Sequence, residues 1–396
     1  MTRLVLLLPN DGCLTIARAV GRRGVEVLAL TTDEYAYVLR SRYVTGGRVM
    51  PDIRRHPQAW VAQLNASGPA VLISGSDAAT EWLVAHRAEL DPELISFETA
   101  DGLHTELMDK QRLYEIAAAA GVRAPWMHHA GTRAELDELL PGLTYPCVLK
   151  PTLGHVAKDL VGVGTLRMDS PADVVEHAGR LLDLGVPVLL TELVPGPETL
   201  LEGAVAVRAA DGSYPLEYGR RKIRQWPLDY GVGCLMEAAD VAETREMNRK
   251  LLDITGYVGV AACETKRHAE TGDLYLIEIN VRVPGAFGLA QACGVDGPWR
   301  LYATLAGLSL GPQPPQIDGR KMMLPQKEAA ALVQRLRAHD VTPWQVLRSW
   351  RGTRDFGAFA PDDPLPALAL LRRLSAKRLS GRQPAPPRTA PGRTRS

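Results

Sequence analysis

The first hundred residues alternate between two hydrophobic periods. Residues 4–8 form an unbroken apolar run that stops at Pro9, Asn10, Asp11 and Gly12, which is the length and punctuation of a buried strand. Leu14, Ile16, Ala17 and Val20 then follow helical spacing up to Gly24, and residues 25–30 return to a strand. A further buried strand at residues 70–73 ends in Ser74, Gly75, Ser76 and Asp77. This alternation predicts a small α/β domain whose strand ends line a cleft. It lacks a dinucleotide fingerprint, because the first turn holds only Gly12 where a pyrophosphate needs three spaced glycines to reach the backbone.

From about residue 105 a longer α/β alternation runs to Gly311, and Pro312, Pro314 and Pro315 then mark a linker. An apolar and basic helical stretch follows at residues 329–350. The chain from Ser380 is rich in Pro, Arg, Gly and Thr, a composition that cannot bury enough surface to fold and predicts a disordered basic tail.

Composition narrows the function classes. A chain of 396 residues with 46% hydrophobic and 23% charged positions suits two or three globular domains. The net charge of +1 gives no field for a polyanion, so no nucleic-acid partner is expected. No apolar stretch approaches the ~18 residues of a membrane span, so we expect a cytoplasmic protein without membrane contact. Cys13, Cys147, Cys234, Cys263 and Cys293 are scattered and lack metal-ligand spacing, and read as reduced, buried residues.

Several segments carry groups suited to phosphate chemistry. Lys110 lies on a helix running through Leu113, Ile116 and Ala117. Residues 145–151 form an apolar strand that delivers Lys150 where Pro151 breaks the ladder, beside a loop with Gly154, His155 and Lys158. Amides of such a loop, with ammonium groups, can hold polyphosphate oxygens. Residues 189–198 read as a strand ending in a Pro-Gly turn. Backbone groups in such a connector can pair with an adenine edge, and Glu198 can accept ribose hydroxyls.

The strongest local pattern is residues 275–282. Strand alternation sends Glu278, Asn280 and Arg282 to one face and Ile277, Ile279 and Val281 to the other. Polar groups on one face of an apolar strand need partners, and magnesium supplies one through carboxylate and phosphate oxygens. Residues 259–266 form a second strand carrying Glu264, and Thr271, Gly272 and Asp273 make a hairpin turn between the two. A salt-bridge ladder is the alternative reading of the same pair.

In this order the segments resemble the ATP-grasp superfamily, and within it the carboxylate-amine ligase branch that includes D-aspartate ligase-like enzymes. The resemblance covers roughly residues 1–310. It implies an α/β chain with the ATP-grasp fold and an N-terminal pre-ATP-grasp, Rossmann-like domain. Residues 1–105 would be that first domain, 106–311 two lobes with ATP and magnesium between them, 312–379 a helical extension and 380–396 the tail. The resemblance makes Lys110 and Lys150 the nucleotide-phosphate lysines, with His155 and Lys158 in the phosphate loop. It makes Glu192, Leu193 and Val194 the adenine hinge and Glu198 the ribose contact. Glu264, Glu278 and Asn280 become magnesium ligands, with manganese as the alternative ion. Arg282, Lys222 and Arg224 become catalytic cations near the terminal phosphate or a substrate carboxylate.

The sequence departs from that branch at Val281, at residues 283–288 and in the low glycine content of residues 152–158. The implied reaction joins a small-molecule carboxylate to an amine through an acyl-phosphate, releasing ADP and phosphate. A homodimer is compatible with the sequence. A carboxylase-like, phosphate-activating enzyme and a non-catalytic nucleotide-binding scaffold are the rival readings. No biotinyl-type lysine between methionines is present.

Overall fold

The computed structural model describes residues 1–151, 165–228 and 230–379. His155, Lys158 and the basic tail lie outside them. The chain divides into two compact units, one of Met1–Ala124 with Gly196–Arg372, the other of Pro125–Pro195 with residues from Arg373 on.

The larger unit begins with a parallel sheet of β1 (Arg3–Leu7), β2 (Val27–Thr31), β3 (Gly46–Val49), β4 (Ala70–Ser74) and β5 (Leu94–Ile95), ordered β3-β2-β1-β4-β5. Helices cover both faces of such a sheet, so its central strands are apolar throughout: Leu4, Val5, Leu6 and Leu7 are fully buried. Strand order reverses between β1 and β4, the place where α/β sheets open a crevice. Here the chain itself fills that place. The Asn10 amide donates to Gly75 O at 2.8 Å and to Val283 O at 2.7 Å. A Cβ on Gly12 would stand 2.2 Å from Pro284 O, so this glycine admits the protein's own backbone.

The smaller unit is an antiparallel sheet of β6 (Met127–Ala130), β7 (Cys147–Pro151), β8 (Leu166–Met168) and β9 (Val188–Glu192), ordered β6-β9-β7-β8. Helices Arg133–Leu139 and Pro171–Asp183 pack on it around Leu136, Leu149, Val174, Leu181 and Leu190. Pro151 is the last residue of β7, paired with Val188, and β7 is an interior strand of the sheet.

The larger unit continues with β10 (Leu201–Arg208), β11 (Leu216–Trp226), β12 (Val232–Ala238), β13 (Gly259–Arg267), β14 (Leu274–Asn280), β15 (Lys321–Met323) and β16 (Thr353–Asp355). These make one sheet ordered β14-β13-β10-β11-β12-β15-β16. The segment expected to be purely helical after residue 312 therefore adds two strands to this sheet, beside its helices Pro325–Arg337, Pro343–Ser349 and Leu365–Leu379. It is also tied to the first helix, where Arg18 meets Asp363 at 2.9 Å with both side chains buried. Among the described residues, no helix is long and apolar enough to cross a membrane.

Candidate active site

The face of the seven-stranded sheet that carries the candidate residues is set by β13 and β14. Glu264 and Glu278 stand directly opposite each other, and directly opposed side chains share a face. The register then slips, Thr265 pairing with Leu276, so one extra residue is accommodated at Ile277. This bulge corrects the simple alternation. Leu276, Ile279 and Val281 enter the core, whereas Ile277 is only half-buried. The Tyr114 hydroxyl donates to Ile277 O at 3.1 Å and fixes the bulge to helix Lys110–Ala119.

That helix begins at Lys110 because Asp109 caps it, accepting from Arg112 N at 2.9 Å. Lys110 Nζ therefore starts the helix beside β14, 3.4 Å from Glu278 Oε2. Asn280 Nδ2 donates to Glu278 Oε1 at 3.0 Å, and Arg282 Nη2 donates to Asn280 Oδ1 at 3.2 Å. On the other side Lys222 Nζ donates to Glu264 Oε1 at 2.8 Å, both side chains being largely buried. Lys110, Glu278, Asn280 and Arg282 thus form one connected polar chain, and the Lys222–Glu264 pair lies across from it, Glu264 standing opposite Glu278.

Two sequence candidates are held elsewhere. Arg224 is not free for a phosphate or substrate. Its Nε donates to Glu328 Oε1 at 2.9 Å and its Nη2 to Ser349 Oγ at 2.6 Å, with 7% and 2% of the Arg224 and Glu328 side chains exposed. Trp350 Nε1 and Cys234 Sγ complete the enclosure by donating to the same carboxylate. Glu198, expected at a ribose, forms an ion pair with Arg335. Arg224 is held by the two-strand extension, a contact that no local pattern announces.

In the smaller unit, Lys150 sits on β7 opposite Leu189 and is half-buried. Glu192 ends β9 and turns back on Trp126, whose backbone N donates to Glu192 Oε2 at 3.2 Å. Leu193 and Val194 follow, Val194 being buried.

Sequence reasoning missed Asp77. Its Oδ1 accepts from Arg282 Nε at 2.6 Å, and it opens helix Asp77–His86 just beyond the carboxyl end of β4. A carboxylate following a parallel strand was the available signal. The cysteines offer no nucleophile: all five are free and buried. Burial raises every thiol, Cys13 to about 12 and Cys147 and Cys293 to about 11, with Cys234 and Cys263 higher still.

The sequence matches no family model, and no curated protein is significantly similar. Solved structures are similar. An N5-carboxyaminoimidazole ribonucleotide synthetase in its ADP complex superposes with a TM-score of 0.66 at 17% identity, over 85% of this chain and 86% of that one. The biotin carboxylase domain dimer of Hydrogenobacter thermophilus 2-oxoglutarate carboxylase, with MgADP, ADP and bicarbonate, gives 0.63 at 16% identity over 81% and 73%. The chain has the ATP-grasp fold. An L-amino acid ligase from Bacillus licheniformis gives a TM-score of 0.58 at 17% identity, over 77% of this chain and 73% of that one. In this chain the seven-stranded sheet bears the paired glutamates, and the four-stranded sheet bears Lys150 and the Glu192 turn.

Proposed function

We propose that the protein is an ATP-dependent ligase that joins a small carboxylic acid to an amine. The observation that carries this reading is the cross-strand pair Glu264 and Glu278, with Asn280 hydrogen-bonded beside them, on one face of an ATP-grasp sheet. Two carboxylates and an amide oxygen are hard donors of the kind magnesium takes, the remaining positions falling to water and phosphate oxygens. Among the described residues no group of three or more His, Cys, Asp or Glu is placed to hold a metal ion. Glu264, Glu278 and Asn280 would hold the ion. Asn280 Oδ1 keeps a second lone pair for it while accepting from Arg282.

Magnesium, when bound, would neutralise phosphate oxygens and polarise the terminal phosphoryl group. By the resemblance, Lys110 and Lys150 would attract phosphate, and the backbone of residues 192–194 would meet the adenine edge. An oxygen of the substrate carboxylate attacks the terminal phosphorus, ADP leaves and an acyl-phosphate forms. Lys222 and Arg282 stabilise the charge that grows on the transferring oxygens. The amine nitrogen then attacks the acyl carbon, phosphate departs, and loss of the ammonium proton leaves an amide.

Arg224 has no part in this account because Glu328 already neutralises it. His155 and Lys158 keep the phosphate-loop role that the resemblance implies. The test is ADP release from MgATP by the full chain across a panel of carboxylates, bicarbonate included, with and without amines. Release that needs both an organic acid and an amine supports the ligase. Release with bicarbonate alone supports the carboxylase-like reading.

A further inference from the structure

Arg220 belongs to the same face of the sheet. Within residues 219–225, which resemble the ligase branch, the resemblance assigns roles to Lys222 and Arg224 and none to Arg220. Register places Glu278 opposite Glu264, Glu264 opposite Gly203, and Gly203 opposite Arg220. One row across four strands therefore reads acid, acid, glycine, arginine. The missing side chain at Gly203 has a purpose: a Cβ there would lie 2.9 Å from Arg220 Nε and 3.3 Å from its Cγ. The Arg220 side chain thus leans over the bare backbone of β10, whose other neighbour is the strand of Glu264.

The neighbouring cations are already matched. Lys222 meets Glu264, Arg224 meets Glu328, Arg282 meets Asp77, and Arg221 meets Glu202. Arg220 is only 6% exposed, yet its Nε has no hydrogen-bond partner, and no ion pair among the described residues includes it. Two residues earlier on the same face, the fully buried Tyr218 hydroxyl is also without a partner. Burying a cation and a hydroxyl donor without acceptors is unfavourable, and arginine does not escape by giving up its proton. An oxyanion resolves both deficits, and a planar carboxylate matches the guanidinium fork.

We propose that Arg220, with the Tyr218 hydroxyl beside it, forms a buried oxyanion site that receives the carboxylate of the acid to be activated. This assignment of the ligand rests on the ligase reading; the existence of an anion site does not. The other source of the same chemistry is the terminal phosphate of the nucleotide.

The experiment compares the full-length parent with Arg220→Met, which removes the charge and keeps an apolar stem. Melting temperatures are read in sodium chloride, acetate, succinate and phosphate at matched ionic strength, and affinities for MgADP and MgATP are measured in parallel. In chloride, Arg220→Met should melt at or above the parent, because an unneutralised buried charge has been removed. Acetate or succinate should raise the parent's melting temperature above its chloride value and leave Arg220→Met unmoved, with both nucleotide affinities within about twofold. A loss of about tenfold in MgATP affinity with the carboxylate response retained would place the terminal phosphate there and overturn the assignment. Melting well below the parent in chloride, or equal anion responses in both proteins, would make Arg220 structural and overturn the site altogether. None of these readouts needs turnover, so a failure of the ligase reading leaves them interpretable.

Discussion

Glu264 and Glu278 face each other across β13 and β14, and each is met by its own lysine: Lys222 at 2.8 Å from Glu264 and Lys110 at 3.4 Å from Glu278. Two opposed carboxylates on adjacent strands repel, and two ammonium groups reached from separate elements offset that repulsion when no metal is bound. In the proposed account these two carboxylates hold the divalent cation, and the lysines are their counter-charges.

Glu278→Gln and Asn280→Ala should each lower acid-dependent ADP release by at least about a hundredfold, the scale of a lost transition-state charge contact. The double variant should be little worse than the worse single one, since the two residues hold one ion. Melting temperature should move little, because the Glu278 side chain is 38% exposed and its pair with Lys110 is a surface pair. A salt-bridge ladder gives the reverse pattern: stability falls, and activity falls only with the unfolded fraction.

Glu328→Ala should destabilise the fold by about 3–5 kcal/mol, as expected when one partner of a buried ion pair is removed. Arg224 is then left enclosed without its carboxylate. The double change Arg224→Met with Glu328→Leu should recover most of the loss. Urea unfolding measures both. If Glu328→Ala is as stable as the parent, Arg224 is not the structural cation described here.

These two variants mark what could be read from the sequence. The strands bearing Glu264 and Glu278, the hairpin between them and the buried β1 and β4 follow from local periodicity, because a strand buried on one or both faces writes its pattern into a few consecutive residues. The bulge at Ile277 does not, since a register slip costs one residue and leaves the apolar content unchanged. Nor does the enclosure of Arg224 by Glu328, Ser349 and Trp350, which depends on helices more than a hundred positions along the chain. Gly12 shows the same limit. Its sequence context excluded a dinucleotide turn, but only the fold shows that Pro284 needs the space.

Acid should weaken the protein through His104. Burial holds this imidazole at about 4, below its ordinary 6.5, and neither ring nitrogen has a partner where the ring packs against Tyr257. The folded state therefore favours the neutral ring, whereas the unfolded chain takes up the proton below about 6.5. The sign follows: this contribution is fully present above pH 6.5 and is lost as pH falls toward about 4, on the order of 3 kcal/mol in all. His104→Phe should keep the ring packing and remove the titration. Urea titrations of both proteins from pH 7.5 to 4 should show the parent losing stability relative to the variant across that window. Parallel curves would show that His104 is protonated in the fold.

The central claim, that the chain activates a carboxylate as an acyl-phosphate, is tested most directly by hydroxylamine trapping. The full chain is incubated with MgATP, each acid of the panel and hydroxylamine, and hydroxamate and ADP are measured together. The ligase account expects one acid class to yield hydroxamate and ADP in equal amounts, with Glu278→Gln abolishing both while remaining folded. Tight MgATP binding with neither product formed from any acid, or undiminished product from Glu278→Gln, would contradict it.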